Sequence, residues 1–289
     1  MPRRRERRPR RWLIVGALLA VVHQPPALGA QPASATSMAN RGWRVHGEAT
    51  VRVYLPAGRL TVETWDRDSV HLAGTLGPNA MLFGNGAPPH VKVGVEARSR
   101  VDSTLPQAWL VVQVPRRARL WVKAIDAELD LAGTQVELEA YTVRGAIRVR
   151  DVRGSTTIES IDAPVRLADA SGDVRVRGSR ATVECTRVHA LATISTVSGA
   201  VVLRSSQVEG RVETVGGAIT LDAVRPGGSL SLQSHAGDIT LSLSTAARPV
   251  LQLWSRGGAV RQGQQQGDVR YGTIEARSFR GNVTVRTPY

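Results

Sequence analysis

Cysteine and lysine are scarce in this sequence. Cys185 is the single cysteine among 289 residues, so no disulfide can form within the chain and the fold must be held together by its core. We expect this thiol to fill the core, because it falls at an inward position of the repeat described below. Lys92 and Lys123 are the two lysines among 38 basic residues. This bias is typical of GC-rich codon usage and weakens any inference of nucleic-acid binding.

Motifs for catalysis and for cofactor binding are missing as well. The sequence has neither the Gly-x-Ser-x-Gly elbow of serine hydrolases nor a phosphate-binding Gly-Lys-Ser/Thr loop. Its six histidines show no metal-ligand spacing. The acidic Gly-Gly-x-Gly-x-Asp repeat with which some solenoids bind calcium is also absent. We therefore expect no catalytic residue, no cofactor and no metal.

Positive charge is in excess, and much of the excess lies at the start of the chain. The formal net charge is +14. The first 30 residues hold seven arginines and one glutamate, which is +6, so about +8 remains for the other residues. A stripe of outward arginines, including Arg148, Arg166 and Arg175, favours anionic polysaccharide or lipid headgroups as partners if it is more than a solvated face. We expect no nucleic-acid partner.

Residues 1–30 have the three parts of an export signal. A cationic run, Arg3–Arg11, precedes an apolar stretch, Trp12–Val22, and small residues lead up to Ala30. The apolar stretch has about 11 residues, whereas a membrane-spanning helix needs about 20. We therefore predict a cleaved signal peptide, no permanent transmembrane segment, and export to the periplasm, the outer surface or the medium. An arginine pair before the apolar stretch leaves both the general secretory and the twin-arginine routes open.

Behind the signal, residues 31–44 are small and polar, and we expect a disordered linker there. From residue 45 onward apolar and polar residues alternate, and no stretch of a dozen residues shows helical periodicity. This pattern predicts an all-β domain over residues 45–289. Residues 74–90 are rich in glycine and proline and predict a loop insertion.

A repeat of nine residues dominates the middle of the chain. Counting by nine from Ala118 reaches small residues at nine of ten positions. After Gly199 the period loosens to between seven and eleven residues. The ten positions are Ala118, Ala127, Val136, Gly145, Gly154, Ala163, Gly172, Ala181, Ala190 and Gly199.

Each nine-residue unit reads as one strand and one turn. The second and fourth residues after the small one are usually apolar, as in Ile147 and Val149, and they share one face of a strand. A lone unit cannot bury this face, so the units must stack in parallel around a common core. We predict a single-stranded parallel β-solenoid (β-helix). Spacing alone leaves two or three units per coil open. A β-sandwich of hairpins is the alternative fold, although hairpin turns favour Asn-Gly or Asp-Gly pairs and sandwiches seldom keep a fixed period through so many strands.

Four apolar residues are the candidate partner-binding groups. Met81, Leu82 and Phe83 fall within the predicted loop, and Trp121 falls at an outward position of its unit. Exposed apolar side chains can anchor a partner or a sugar ring. In the competing interpretation the trio caps the end of the solenoid and the loop covers Trp121.

Three segments resemble a known family. They are Gly58-Arg-Leu-Thr-Val-Glu-Thr-Trp-Asp-Arg-Asp-Ser-Val70, Val114-Pro-Arg-Arg-Ala-Arg-Leu120, and repeat units such as Ser171-Gly-Asp-Val-Arg-Val176. They are similar to segments of a large bacterial family of exported β-strand-repeat proteins of unknown function, adhesin-like and related to autotransporter-adhesin head domains. The resemblance covers about residues 45–289. It implies a cell-envelope location and an adhesive or scaffolding role, and it supplies no catalytic residues.

We therefore predict an exported, non-enzymatic, adhesin-like protein whose partner is a surface glycan or an envelope protein, with self-association left open. The alternative is a degenerate polysaccharide lyase or hydrolase on the same fold. Such an enzyme needs outward acids of neighbouring coils to converge in a groove beside Arg or Lys. Outward acids instead look single and spread along the array, as at Asp130, Glu139, Glu184 and Glu213.

Overall fold

The computed structural model describes residues 36–99, 101, 103–244, 248–263 and 270–286. The predicted signal peptide, residues 1–30, lies outside these ranges. Within them the chain forms twenty strands and no helix, so the all-β prediction is confirmed. In this part of the chain no helix is long and apolar enough to cross a membrane. The strands are β1 (Ser37–Arg44), β2 (Thr50–Trp65), β3 (Ser69–Leu76), β4 (Ala80–Ala87), β5 (His90–Ala97), β6 (Gln107–Pro115), β7 (Arg119–Ala132), β8 (Glu137–Thr142), β9 (Ile147–Ser160), β10 (Val165–Gly178), β11 (Val183–Thr186), β12 (His189–Thr196), β13 (Val201–Arg204), β14 (Gln207–Thr214), β15 (Ile219–Ser234), β16 (Ile239–Leu243), β17 (Arg248–Ser255), β18 (Val260–Gln262), β19 (Arg270–Ser278) and β20 (Val283–Arg286).

Parallel pairing between residues 18 apart organises the middle of the domain. Val165 on β10 pairs with Ile147 on β9 and with Val183 on β11. The same offset joins β7 to β8 and β9, and β12 to β14. Two nine-residue units therefore make one layer, which answers the question that spacing left open. The long strands β2, β7, β9, β10 and β15 each contribute to both of the strand rows that result.

We call these two rows the first and the second. Each layer adds one strand segment to each row. The first row runs β4, β5, the start of β2, the start of β7, β8, the ends of β9 and β10, β12, β14, the end of β15, β19 and β17. The second row runs β1, β3, β6, the ends of β2 and β7, the starts of β9 and β10, β11, β13, the start of β15, β16, β20 and β18.

The small residues of the repeat stack where the chain passes between the rows. A side chain added at Gly217 would overlap the carbonyl oxygen of Gly199, and one added at Gly199 would overlap that of Ala181. Alternate units form a second stack, in which Gly172 lies against Gly154 with a φ of +109° that suits glycine. Because a layer holds two units, the nine-residue period produces two stacks of small residues.

Hydroxyl groups fix the same turn in successive layers. The backbone N–H of Gly217 donates to Thr214 Oγ1 at 2.9 Å, and the N–H of Gly237 donates to Ser234 Oγ at 2.8 Å. The N–H of Gly281 donates to Ser278 Oγ in the same way. These bonds satisfy turn amides that would otherwise be buried without a partner.

The inward side chains of both rows form one hydrophobic core. Valine, leucine and isoleucine predominate, and burying each such side chain contributes about 1.5–3 kcal/mol. Cys185 lies in this core with 1% of its surface exposed, as its repeat position predicted. Burial raises the pKa of its thiol to about 12, so the thiolate that would react is disfavoured.

The start of the domain departs from the predicted linker and loop. Residues 37–44 of the expected linker form β1, which pairs antiparallel with β3, and residues 80–87 of the expected loop form β4, antiparallel to β5. The indole of Trp43 packs over Gly84 and Gly86, where any side chain would collide with it. In the sequence these glycines suggested a loop. In the structure, the absence of side chains at these positions leaves room for the indole of Trp43 at the end of the core.

The other end departs from a continuous solenoid. There β19 and β20 do not follow β17 and β18 in space. Instead they lie between these strands and β15 and β16. The pairing offset rises to 44 residues, as in Ile239 with Val283. The single parallel solenoid predicted over residues 45–289, with a loop insertion at 74–90, does not describe the two ends, since one end is antiparallel and the other is paired out of chain order.

Candidate binding groove on the first row

A groove of about 900 Å³ lies on the outward face of the first row. Seven neighbouring strands line it, from β4 through β5, β2, β7, β8 and β9 to β10. Side chains two residues apart on a strand share a face, so buried Val53 alternates with outward Arg52 and Tyr54. Pairing aligns the outward residues in two columns. The columns are Lys92, Arg52, Trp121, Glu139, Thr157 and Arg175, and Tyr54, Lys123, Tyr141, Glu159 and Arg177.

Cations of the groove lie over aromatic rings. The guanidinium carbon of Arg52 is 4.3 Å from the ring centroid of Trp121 on the next strand. Lys123 Nζ is 5.6 Å from the centroid of Tyr141, and a third pair joins Lys92 to a ring of β4. Each such contact contributes about 0.5–1 kcal/mol at an exposed site. The contacts order long side chains that would otherwise sample many conformations.

The predicted apolar trio divides between the groove and the core. Phe83 lines the groove together with Trp121, and Lys92 Nζ lies 5.9 Å from the centroid of the phenyl ring. Leu82 points the other way and packs against the core, as the capping interpretation expected. Met81 is 42% exposed and is not part of the groove lining.

Phe83 owes its position to the glycine opposite it. The two residues pair across β4 and β5, and a side chain at Gly94 would come within 2.7 Å of Phe83 Cζ. The phenyl ring therefore lies across β5 toward β2. Trp121 is 37% exposed, so Arg52 rather than a covering loop is its partner.

Three carboxylates also line the groove, which corrects the expectation that outward acids stay dispersed. They are Glu96, Glu139 and Glu159. Glu159 Oε1 is 3.4 Å from Arg177 Nη1. Glu139 lies on β8, the strand that pairs with the Glu159 segment of β9, with the two residues offset along the ladder. Sequence positions 20 apart come together because one layer spans 18 residues.

Elsewhere on the surface many of the acids are paired with arginines. Glu184 Oε2 is 3.2 Å from Arg166 Nε, one layer away. Asp130 lies 3.4 Å from Arg150, and Glu213 lies 2.9 Å from Arg211. These pairs are solvent-exposed, and each contributes at most about 1 kcal/mol. Of the three outward arginines named from the sequence, Arg148 and Arg166 pair with glutamates, and Arg175 lies in the groove.

Charge in the groove is less completely balanced. Five basic and three acidic side chains line it. Four of the basic groups form no ion pair with any residue that the structure describes. They are Arg52, Lys92, Lys123 and Arg175. The groove therefore carries a net positive charge and offers N–H donors that no carboxylate occupies.

Sequence reasoning missed most of these residues. Tyr54, Tyr141 and Lys92 stand at outward positions of ordinary strands, and nothing in their local sequence distinguishes them. The 18-residue offset would have aligned Lys123 with Tyr141 once two units per layer were known. Among the described residues, no three His, Cys, Asp or Glu side chains are grouped so that they could hold a metal ion.

Fold and groove together define an all-β repeat protein with a charged, aromatic outer face. The chain belongs to the Toastrack DUF4097 family, whose model matches residues 35–285. The resemblance to a β-strand-repeat family of unknown function is thereby confirmed. Comparison with curated proteins gives no match.

Three solved structures are similar over most of their length. A candidate cell adhesion protein from Clostridium sporogenes ATCC 15579 is 7% identical, with a TM-score of 0.21, over 87% of this chain and 100% of that one. A candidate adhesin from Bacteroides fragilis NCTC 9343 is 11% identical, with a TM-score of 0.36, over 87% and 97%. A candidate lipid-binding protein from Parabacteroides distasonis ATCC 8503 is 10% identical, with a TM-score of 0.41, over 86% and 96%. At these values the similarities carry no argument about function.

Proposed function

We propose that this protein is an exported, non-enzymatic, adhesin-like binding protein of the cell envelope, and that the first-row groove is its binding surface. One observation carries the proposal. Phe83 and Trp121 line a single groove together with cations held over aromatic rings. Aromatic and basic side chains are the groups that most often dominate binding energy at protein surfaces.

We further propose that the middle of the domain is a β-solenoid with two strands per coil. The offset of 18 residues and the two stacks of small residues support this architecture. A solenoid presents long faces with fixed side-chain spacing, which suits an extended partner. The antiparallel strands β1 and β4 are the outermost strands of the two rows at one end.

Export rests on the pattern of residues 1–30, with its cationic, apolar and small-residue parts. The sequence supports delivery to the periplasm, the outer surface or the medium. A surface glycan or an envelope protein is the partner that such a location makes available.

Screening the purified protein against arrays of bacterial and host glycans and of envelope proteins tests the proposal. The Phe83→Ala/Trp121→Ala variant should lose the signals that the unaltered protein gives. Trp109→Ala is the matched control, because Trp109 is 49% exposed on the outward face of β6 in the second row. Signals that survive in the groove variant, or that fall equally in both variants, would place binding elsewhere.

A second candidate function follows from Glu139 and Glu159 in the groove. Two carboxylates beside Arg175 and Arg177 are the side chains that a degenerate polysaccharide lyase or hydrolase would use. Against catalysis, Arg177 holds Glu159 in an ion pair. Incubation of the protein with a panel of polysaccharides distinguishes catalysis from binding. New reducing ends or unsaturated uronides, abolished by Glu139→Gln, would establish an enzyme, whereas intact polymers support binding alone.

A further inference from the structure

We propose that the groove recognises an acidic polysaccharide through carboxylates spaced along an extended chain. This inference rests on the proposed binding function and specifies its ligand class. The central observation is the set of four groove cations without a carboxylate partner among the described residues, three of them held over rings.

The grouping of these cations distinguishes the groove from the rest of the surface. Outside the groove, many arginines pair with an acid of the neighbouring layer, as Arg166 pairs with Glu184, and Arg67 and Arg256 lie singly over the rings of Trp65 and Phe279. Inside it, Arg52 and Lys123 contact an indole and a phenol instead. A ring fixes the position of the cation while leaving its N–H donors free for an anion. Much of the entropy that a flexible basic side chain loses on binding is therefore already lost in the free protein.

The direction of the groove indicates an extended ligand. Lys92, Arg52 and Lys123 lie on the consecutive strands β5, β2 and β7, and Arg175 lies three strands further along the first row. Neighbouring strands are about 4.8 Å apart. A linear polymer that crosses the strands would meet cations at β5, β2 and β7 in succession.

The acids in the groove favour a sugar polymer over a polyphosphate. Glu96 and Glu139 line the same groove as the cations, and each can accept hydrogen bonds from sugar hydroxyls. They would repel a polymer that carries a phosphate on every unit and has few hydroxyls, such as a nucleic acid. A uronate polysaccharide supplies both a carboxylate and hydroxyl donors on each ring.

Calorimetric titration of the full protein with polygalacturonate tests the inference, and fully methyl-esterified polygalacturonate serves as the neutral probe. Polygalacturonate should bind and the ester should not. Arg52→Gln/Lys123→Gln should weaken binding by about tenfold or more, since two charge-assisted contacts are lost. Arg204→Gln/Arg286→Gln removes the same charge from the second row and should leave the affinity within about twofold, because exposed distant charges are screened by salt.

The other outcomes overturn the inference in distinguishable ways. If the ester binds as well as the acid and Trp121→Ala abolishes both, the groove binds glycans but the ligand class is wrong. If polyphosphate or vesicles of anionic lipid bind as tightly as polygalacturonate, with the same loss in the groove variant, the groove recognises anions in general. If both charge variants weaken binding equally, or if polygalacturonate does not bind, the groove cations do not recognise uronate carboxylates.

Discussion

Arg187 and Asp169 lie one layer apart and form a two-pronged ion pair. Arg187 Nε donates to Asp169 Oδ1 at 2.6 Å, and Nη2 donates to Oδ2 at 2.7 Å. This hydrogen bonding holds the pKa of Asp169 below its ordinary value of 3.8. Both residues have left-handed backbones, with φ near 54°. They belong to a stack of residues with left-handed backbones and an 18-residue period, made of Gly133, Asp151, Asp169, Arg187, Ser205 and Ala223.

Asp169→Asn should destabilise the domain slightly and in a pH-dependent way. The folded-state pKa of Asp169 is lowered, so the ion pair stabilises the fold above the ordinary carboxyl pKa and is lost as the pH falls through the lowered value. We expect less than about 1 kcal/mol at neutral pH because the pair is exposed. Asn tolerates the left-handed backbone. Urea unfolding at neutral and acidic pH measures the change, and Asp173→Asn, outside this stack, is the control. A loss that persists in acid would point to backbone strain instead.

Alanine substitutions at the adjacent residues Gly216 and Gly217 distinguish the effect of close packing from the effect of chain flexibility. Gly217→Ala places a methyl group against the carbonyl oxygen of Gly199 in the layer below, whereas at Gly216 the nearest atom would be 3.7 Å away. We expect Gly217→Ala to lower the free energy of unfolding by about 1–3 kcal/mol, since overpacking shifts backbone. Gly216→Ala should change it by less than about 1 kcal/mol. Thermal and urea unfolding give both values. Equal losses would mean that the stack is not tight.

Two buried threonines should respond in opposite directions to valine. Thr156 lies between Leu138 and Val174 in the core, and its hydroxyl has no hydrogen-bond partner among the described residues. Thr156→Val should stabilise by about 1–2 kcal/mol, because a buried polar group without a partner is removed. Thr214→Val should destabilise by about 1 kcal/mol or more, because Gly217 N–H loses its acceptor. A loss of stability in both variants would indicate that the Thr156 hydroxyl is satisfied.

Cys185 should resist alkylation until the domain unfolds. Its thiol is buried and its pKa is raised to about 12, so little thiolate forms at neutral pH and reagent cannot reach it. Modification by iodoacetamide should follow unfolding as urea is added, and Cys185→Ser should unfold at lower urea. Fast labelling of the native protein would contradict the burial of this strand.

The repeat could be predicted from sequence because the spacing of small residues reflects a steric requirement in every layer. Gly199 and Gly217 are small because the backbone of the neighbouring layer lies directly beneath them. This requirement for a small residue can be recognised in a single sequence. The number of units per layer could not be predicted, because two or three units preserve the same period.

The ends and the groove were harder to predict. Strand β4 was missed because Gly84 and Gly86 lack side chains for reasons that only the indole of Trp43 explains. The insertion of β19 and β20 depends on pairings 44 residues apart, for which no local pattern exists. Trp121 was recognised as outward from its repeat position, whereas Glu139 and Glu159 meet only when the 18-residue layer is known.

Comparing two tryptophan variants tests the central claim, that the first-row groove is the binding surface, most directly. The dissociation constant of polygalacturonate would be measured for Trp121→Ala and for Trp109→Ala. Removing Trp121 eliminates the ring beneath Arg52 and should weaken binding by about tenfold, as for a central anchor. Removing the exposed Trp109 of the second row should leave the affinity unchanged. Equal affinities in the two variants, or a larger loss from Trp109→Ala, would contradict the account.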